Sequence, residues 1–290
     1  MRYELFFVSS SPMVSPQVAF EHYFEKREFY TIGPGTAQYD NPDTGVSFAF
    51  DCTSQPVVAP GTPRPWARFM VELLRPSFFA EEATREIEPF VKHFEVSVLD
   101  KAGAASVKYS PAAVLREWHE LSRGEYARAL KAARASHVQL SRMPRHELLV
   151  AWTWNYHRRV LQSHEGDGLF VPRIWFLRTT EGMVTCMVWP EAMAARVPKV
   201  DYILFSRGAF APDRALSEPE VAFVPWASVA PIISGSAAYD SLSISYRVTD
   251  QDMLEELARL VSHQPPSRKL PDVVPLYTVL DDEAFPREEG

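Results

Sequence analysis

The chain has 290 residues, of which 46% are hydrophobic and 23% are charged, so an intrinsically disordered protein is excluded. Its 30 lysine and arginine residues against 37 acidic residues give a net charge of −7. This is the wrong sign for attraction to a phosphate backbone, and nucleic acid is therefore not the expected partner. The length predicts one large unit or two medium-sized units.

The cysteines and the apolar runs indicate the compartment. Cys52 and Cys186 are the only cysteines, too few for a disulfide framework or a thiolate metal site. The first apolar run contains Glu4 and stops at Ser9, so it lacks the core of a signal peptide. No later run reaches the roughly 18 apolar residues of a spanning helix. We expect a cytoplasmic protein with free thiols and with no metal, cofactor or membrane contact.

The N-terminal region alternates between strand and helix patterns. Tyr3–Ser9 predicts a strand, and Ser15-Pro16 then offers an N-cap with proline in the first turn of a helix. The runs Tyr30–Tyr39 and Val46–Cys52 predict two strands. Between them, Asp40–Gly45 is rich in turn residues and predicts a hairpin loop.

The next segment adds a strand, a helix and a strand. Ala67–Leu74 predicts a strand, Ser77 is the expected cap of a helix, and Glu81 and Glu82 lie in its first turns, where the helix dipole favours acids. Glu95–Asp100 predicts a fifth strand. The order β-α-β-β-β-α-β predicts an α+β fold whose N-terminal sheet is mainly antiparallel and carries two helices, a ferredoxin-like elaboration.

Three regions are expected along the chain. Residues 1–104 form the sheet domain, and residues 105–262 contain central helices, which begin at Ser110-Pro111, followed by a second α+β half. In that half, Thr249-Asp250 caps the last helix. Residues 263–290 are proline-rich and acidic, which predicts a flexible arm or an extended strap.

A tryptophan-rich helix and two strands occupy Pro144 to Trp189. The strands are predicted at Pro172–Thr179 and Met183–Trp189. A helix that is apolar on two faces is usually packed between layers. Its two apolar stripes are Leu148, Trp152, Tyr156 and Val160, and Val150, Trp154, His157 and Leu161.

The C-terminal end of this helix holds the candidate catalytic residues. His157 and His164 lie about 10 Å apart along an unbroken helix, too far to share a metal ion. If the helix ends near Ser163, then His164, Glu165 and Asp167 fold back toward His157 and form the site of an enzyme, in that case a hydrolase. The alternative is a core-facing His157 followed by a solvated turn.

Two short motifs are interpreted structurally. Asp43-Thr44-Gly45 spells the aspartic-protease tripeptide, but Asn41-Pro42 and the flanking strands favour an ordinary turn. Trp118-His119-Glu120 lacks the second helical histidine of a zinc protease and is typical of an amphipathic helix face.

A partner-binding surface is predicted from aromatic and acidic residues. Trp66 follows the proline-rich loop Cys52–Pro65 and is expected to be exposed there. Exposed aromatic side chains are frequent interface anchors. The acidic residues Glu81, Glu82 and Glu86 are expected to complete the surface.

Three passages carry a family resemblance: Tyr39–Phe50, Leu74–Ala83, and Val171–Leu177 continued to Trp189-Pro190. They resemble a family of bacterial cytosolic α+β proteins with no established activity, so the resemblance implies no catalytic residue. In type, the chain is similar to the immunity proteins of bacterial toxin systems, which are often acidic α+β binders without catalytic motifs. We therefore predict a stoichiometric protein-binding module, most concretely an immunity protein that neutralises a toxin; the alternative is the enzyme near His157 and His164.

Overall fold

The chain divides into two compact units. Unit 1 comprises Met1–Arg145 and Tyr277–Gly290, and unit 2 comprises His146–Leu276. These bounds differ from the predicted ones at 104 and 262, because the long helix after residue 110 belongs to unit 1 and because the chain returns from unit 2 to unit 1 only at Tyr277. The computed structural model describes residues 1–9, 15–53, 63–100, 103, 105–137, 139–166, 168–212, 220–239, 244–265 and 271–285.

The elements confirm the predicted α+β class. The first part of the chain forms β1 (Arg2–Ser9), α1 (Pro16–Phe24), β2 (Tyr30–Gly33), β3 (Thr36–Asp40), β4 (Ser47–Asp51), β5 (Ala67–Glu72), α2 (Phe78–Phe94), β6 (Val96–Leu99), β7 (Ser106–Val107), α3 (Pro111–Ala135) and β8 (Arg142–Met143). The remainder forms α4 (Arg145–Glu165), β9 (Ile174–Arg178), β10 (Met183–Trp189), β11 (Ala195–Pro198), β12 (Tyr202–Ser206), α5 (Arg207–Phe210), β13 (Val221–Pro225), α6 (Trp226–Ile233), β14 (Ala237–Tyr239), β15 (Ile244–Val248), α7 (Gln251–His263), β16 (Asp272–Val274) and β17 (Leu280–Asp281). Among the described helices, none has both the length and the apolar composition that crossing a bilayer requires.

Unit 1 is built on a seven-stranded sheet in the order β2-β3-β4-β5-β1-β6-β7, with antiparallel pairing throughout. Because β5 and β6 both run antiparallel to β1, helix α2 connects two parallel strands across the strand between them. This is the split arrangement expected of a ferredoxin-like elaboration. The predicted strand Tyr30–Tyr39 is instead the hairpin β2–β3, since Gly35 adopts a positive φ of 64° at its turn.

Aromatic rings fill the core between this sheet and its helices. Phe7 of β1 lies 4.8 Å from Phe90 of α2, and Phe50 of β4 lies 4.9 Å from the same ring. Phe24 of α1 packs 5.1 Å from Phe50, and Phe69 of β5 lies 5.2 Å from Phe50. All five side chains are essentially fully buried, so α1 and α2 share one face of the sheet.

Residues 277–285 form a strap on unit 1, which agrees with one of the two alternatives predicted for residues 263–290, whereas Asp272–Val274 of that region is a strand in the sheet of unit 2. Strand β17 pairs in parallel with β8, and Phe285 stacks on Tyr126 of α3 at 5.1 Å. Asp281 is buried: its carboxylate accepts hydrogen bonds from the Ser77 amide at 2.7 Å, the Ser77 hydroxyl at 2.6 Å and the Tyr126 hydroxyl at 3.4 Å. The Ser77 hydroxyl therefore does not cap α2, contrary to the prediction.

We expect Asp281→Asn to lower the free energy of unfolding by about 2 kcal/mol, because the bonds from Ser77 lose their charged acceptor and an NH2 group replaces one of the two accepting oxygens in a buried site. The matched control is Asp282→Asn, whose side chain is half exposed and lies 3.6 Å from Arg142; it should lose no more than about 0.5 kcal/mol. Urea denaturation of both variants makes the comparison. Equal losses would show that the Asp281 bonds do not hold the strap.

Unit 2 contains a five-stranded sheet in the order β13-β12-β10-β9-β16, in which only the β10–β12 pair is parallel. Helix α4 is fixed to it by Asn155, whose amide exchanges two hydrogen bonds of 2.9 Å with the backbone of Ile174. A second sheet has the order β11-β15-β14. The two predicted stripes of α4 are only partly buried, because Val150 and Val160 are about half exposed.

Candidate functional site

Trp66 is buried and not exposed as predicted. Only 9% of its surface is accessible, because its ring stacks on Phe90 at 5.7 Å and meets Phe94 at 5.0 Å. Most of the neighbouring Cys52–Pro65 loop, residues 54–62, lies outside the described residues. Trp66 therefore contributes to the core of unit 1, and the predicted aromatic anchor of the binding surface is wrong.

Glu82 is fully buried, which also contradicts its predicted place on an acidic surface. Its Oε1 atom accepts hydrogen bonds from the Tyr39 hydroxyl at 2.8 Å, the Asn41 amide at 2.8 Å and the Thr44 hydroxyl at 3.1 Å. Thr44 belongs to the Asp43-Thr44-Gly45 tripeptide, so this carboxylate holds the turn between β3 and β4. The tripeptide is part of a turn, as the sequence favoured.

The other two acids of the predicted surface are engaged within unit 1. Glu86 accepts hydrogen bonds from Arg27 at 2.7 Å and from the Tyr30 hydroxyl at 3.1 Å. Burial, followed by the charge of Glu86, raises the pKa of Tyr30 well above its usual value, so this hydroxyl keeps its proton. Glu81 lies 3.5 Å from Arg145. A free acidic face is therefore absent at these three positions.

The predicted catalytic residues are not brought together where the structure describes them. Helix α4 continues through Glu165, so the fold-back near Ser163 does not occur. The Nδ1 atom of His157 lies 2.9 Å from the Thr153 carbonyl oxygen and donates to it, whereas His164 is exposed. Asp167 lies outside the described residues. In the described ranges, no three His, Cys, Asp or Glu side chains are grouped as metal ligands.

Glu165 forms two ion pairs within unit 2. Its carboxylate pairs with Arg196 of β11 at 2.9 Å and with Arg247 of β15 at 2.7 Å. Arg196 also donates to the Ser245 hydroxyl at 3.0 Å. Because the side chains of Glu165 and Arg196 are only 7% and 10% exposed, this ion pair joins the end of α4 to the smaller sheet of unit 2.

The larger sheet of unit 2 is apolar on both faces. One face forms the core, with rings such as Trp189 and Phe205 stacked 5.6 Å apart and fully buried. Strand register identifies the residues of the opposite face, since directly paired residues share a face. We call this second face the aromatic face; its apolar residues are Trp175, Leu177, Val184, Cys186, Val188, Tyr202, Leu204, Val221, Phe223, Pro225 and Val273, and Ser206 lies at its end.

The centre of the aromatic face is closed and its periphery is accessible. Leu177, Cys186 and Leu204 are buried beneath half-buried neighbours that pack against them. Val188 and Val273 are 40% and 56% exposed. Burial, and secondarily Asp201, raises the pKa of Cys186 to about 12, so its thiol is protonated and acts as an apolar side chain.

The aromatic side chains of this face are held in position by ring contacts. Tyr202 and Phe223 stack with their ring centroids 4.2 Å apart and their planes 6° from parallel. The guanidinium of Arg173 lies 4.4 Å from the ring centre of Trp175. A shallow depression of about 560 Å³, lined in part by Tyr202, Phe223 and residues 179–181 of the β9–β10 turn, opens beside the stack.

No protein-family model matches the chain, and comparisons with curated proteins and with solved structures found no match. The resemblance to a bacterial cytosolic family thus stays a prediction.

A sequence signal for the aromatic face existed. In β9 and β10 the apolar residues do not alternate with polar ones: Trp175 and Leu177 occupy one face, and Ile174 and Phe176 the other. A strand that is apolar on both faces is usually covered on both.

Proposed function

We propose that the chain is a stoichiometric protein-binding module and that the aromatic face of unit 2 is its recognition surface. The observation that supports this is the exposure of two apolar side chains on this apolar face: Val188 is 40% exposed and Val273 is 56% exposed. Contiguous apolar surface of this kind is typical of protein interaction sites.

The composition of the face suits an interface. Tyrosine, tryptophan and arginine are the residues most enriched among binding hot spots. The face carries all three types: the ring of Tyr202 is held by stacking on Phe223, and the ring of Trp175 is held by the guanidinium of Arg173. Because a regular sheet supports these side chains, little conformational entropy is lost when a partner covers them.

The partner class follows from charge and from the type of protein that the sequence resembles. A net charge of −7 favours association with a basic protein. We propose that this partner is a bacterial toxin and that the chain is its immunity protein, acting by occupancy in the cytoplasm and without catalysis. Such a binder needs no cofactor.

The test measures capture of the partner by tagged protein from native cell extract. Val188→Asp and Val273→Asp should each weaken binding by about 30-fold or more, because a charge is then buried in an apolar contact at a cost of about 2 kcal/mol. Val160→Asp, on the half-exposed part of α4, is the control and should bind as the wild type does. Thermal melts establish that all three variants are folded.

The captured protein is then expressed alone and with each variant. We expect the captured protein to arrest growth when it is expressed alone. Co-expression of the wild type or of Val160→Asp should restore growth, and co-expression of Val188→Asp should not. Unchanged capture by both face variants would remove the aromatic face from the proposal. A captured protein that is harmless when expressed alone would contradict the immunity function.

A further inference from the structure

Strand β13 forms one edge of the larger sheet of unit 2. Within the part of the chain that the structure describes, β12 is the only strand that pairs with it. The backbone groups of successive residues point to opposite sides of a strand, so every second residue of an edge strand directs its N–H and C=O groups away from the sheet. The hydrogen bonds at the two ends of β13 identify these residues.

Both ends of β13 give the same answer. The amide of Arg207 donates to the carbonyl of Glu220 at 3.0 Å. The amide of Trp226 donates to the carbonyl of Asp201 at 2.8 Å. Glu220 and Trp226 therefore face β12, and so do the two even-numbered residues between them. The backbone groups that point away from the sheet belong to Val221, Phe223 and Pro225.

The outward residues are accessible. Val221 and Phe223 are partly exposed, and Pro225 is exposed. Prolines are tolerated in a sheet where the missing N–H group would face solvent, which agrees with the outward position of Pro225. The edge thus presents the N–H groups of Val221 and Phe223 and the C=O groups of all three residues.

The opposite edge of the same sheet is protected. Strand β16 is three residues long, lies between Pro271 and Pro275, and begins with the charged Asp272. Short strands, prolines and charges are devices that prevent a sheet edge from pairing with another chain. Strand β13 is five residues long, carries no charged side chain and has a proline only at its last position. It is therefore the edge of this sheet that can accept a further strand.

We propose that two copies of the chain associate by antiparallel pairing of their β13 strands, which joins the two five-stranded sheets into one. A two-fold axis at Phe223 brings the outward residues into register, because Phe223 then lies opposite Phe223 of the second copy and Val221 lies opposite Pro225. The two Phe223 residues exchange two hydrogen bonds. Each Val221 amide donates to the Pro225 carbonyl of the other copy. Among the outward groups only the Val221 carbonyl stays unpaired, because Pro225 has no N–H group.

Two further features fit a second copy. Although each chain has a net charge of −7, the strands that meet are uncharged, so no like charges oppose one another along the pair. The Phe223 side chains lie opposite each other on the aromatic face, and cross-strand aromatic pairs stabilise a sheet. The pairing uses neither Val188 of β10 nor Val273 of β16, so the dimer does not rest on the proposed binding of another protein.

The experiment is analytical ultracentrifugation of the full chain at concentrations from about 1 to 300 µM. We expect a reversible dimer with a Kd of about 10–100 µM, because four backbone hydrogen bonds along a short edge make a small interface. Val221→Pro removes an outward N–H group from each copy and should weaken the dimer by about tenfold or more. The matched control is Val221→Ala, which shortens the same side chain but keeps the N–H group; its Kd should stay within about threefold of the wild type.

Hydrogen exchange followed by NMR tests the contact in the unaltered chain. The amides of Val221 and Phe223 should exchange more slowly as the protein concentration rises, whereas those of Ala222 and Val224, which already face β12, should not change. This measurement replaces the variant if a thermal melt shows that Val221→Pro is unfolded. Three results would overturn the proposal: a chain that is monomeric at about 300 µM, equal dissociation constants for Val221→Pro and Val221→Ala, or exchange at Val221 and Phe223 that is independent of concentration.

Discussion

Replacing Glu82 by alanine is expected to lower the free energy of unfolding by about 4 kcal/mol or more. The change leaves the donors of Tyr39, Asn41 and Thr44 without their common acceptor in a fully buried site. Each stranded donor costs about 1–3 kcal/mol, and whole domains are stable by only about 5–15 kcal/mol. Urea denaturation followed by circular dichroism measures the loss.

Two further variants isolate the role of the acceptor. Glu82→Gln keeps an oxygen that can accept the same bonds, so its loss should be about half that of alanine or less. Glu88→Ala lies on the same helix, where Glu88 is half exposed and pairs with Lys92 at 2.8 Å, and it should cost no more than about 0.5 kcal/mol. If Glu82→Ala were as mild as Glu88→Ala, the buried network would have no part in holding the turn.

Replacing Glu165 by alanine is expected to destabilise unit 2 by about 3–5 kcal/mol, because Arg196 would keep its charge in a site that is only 10% exposed. Glu256→Ala on the exposed side of α7 is the control, with an expected loss of no more than about 0.5 kcal/mol. Hydrogen exchange of the β11 and β15 amides reports the change within unit 2.

A paired replacement distinguishes a structural ion pair from a catalytic acid. The double change Glu165→Leu with Arg196→Met removes both charges and should recover most of the stability lost in Glu165→Ala. A catalytic Glu165 predicts the opposite pattern: a stable Glu165→Gln protein that has lost a measurable turnover. A loss below about 1 kcal/mol in Glu165→Ala would contradict the structural role.

Local chemistry was enough to predict much of the fold. The strand Met183–Trp189 followed from its run of apolar residues, and the turn at Asp40–Gly45 followed from its turn residues. Ser110 caps α3 through the amide of Ala113, and Asp250 caps α7 through the amide of Asp252, as their positions indicated. In each case the interacting groups lie within a few residues of one another.

The predictions that were wrong concern residues whose contacts come from distant parts of the sequence. Trp66 is covered by rings from α2, and the Ser77 hydroxyl is taken by Asp281, which is 204 residues away in sequence. Glu82 sits where a helix dipole favours an acid, which is an ordinary surface pattern, but the turn from β3 encloses it. Such contacts depend on tertiary packing, to which local propensity carries no signal.

The strap also has a consequence for how the protein is made. Residues 277–285 leave the ribosome only after residues 146–276, so unit 2 is available in full while unit 1 still lacks the segment that covers Tyr126 and binds Ser77. Contacts between distant parts of a chain form slowly, and domains fold as units during synthesis. We therefore expect the nascent protein to pass through a stage in which unit 2 is native and unit 1 is unfinished, with the strap completing it last.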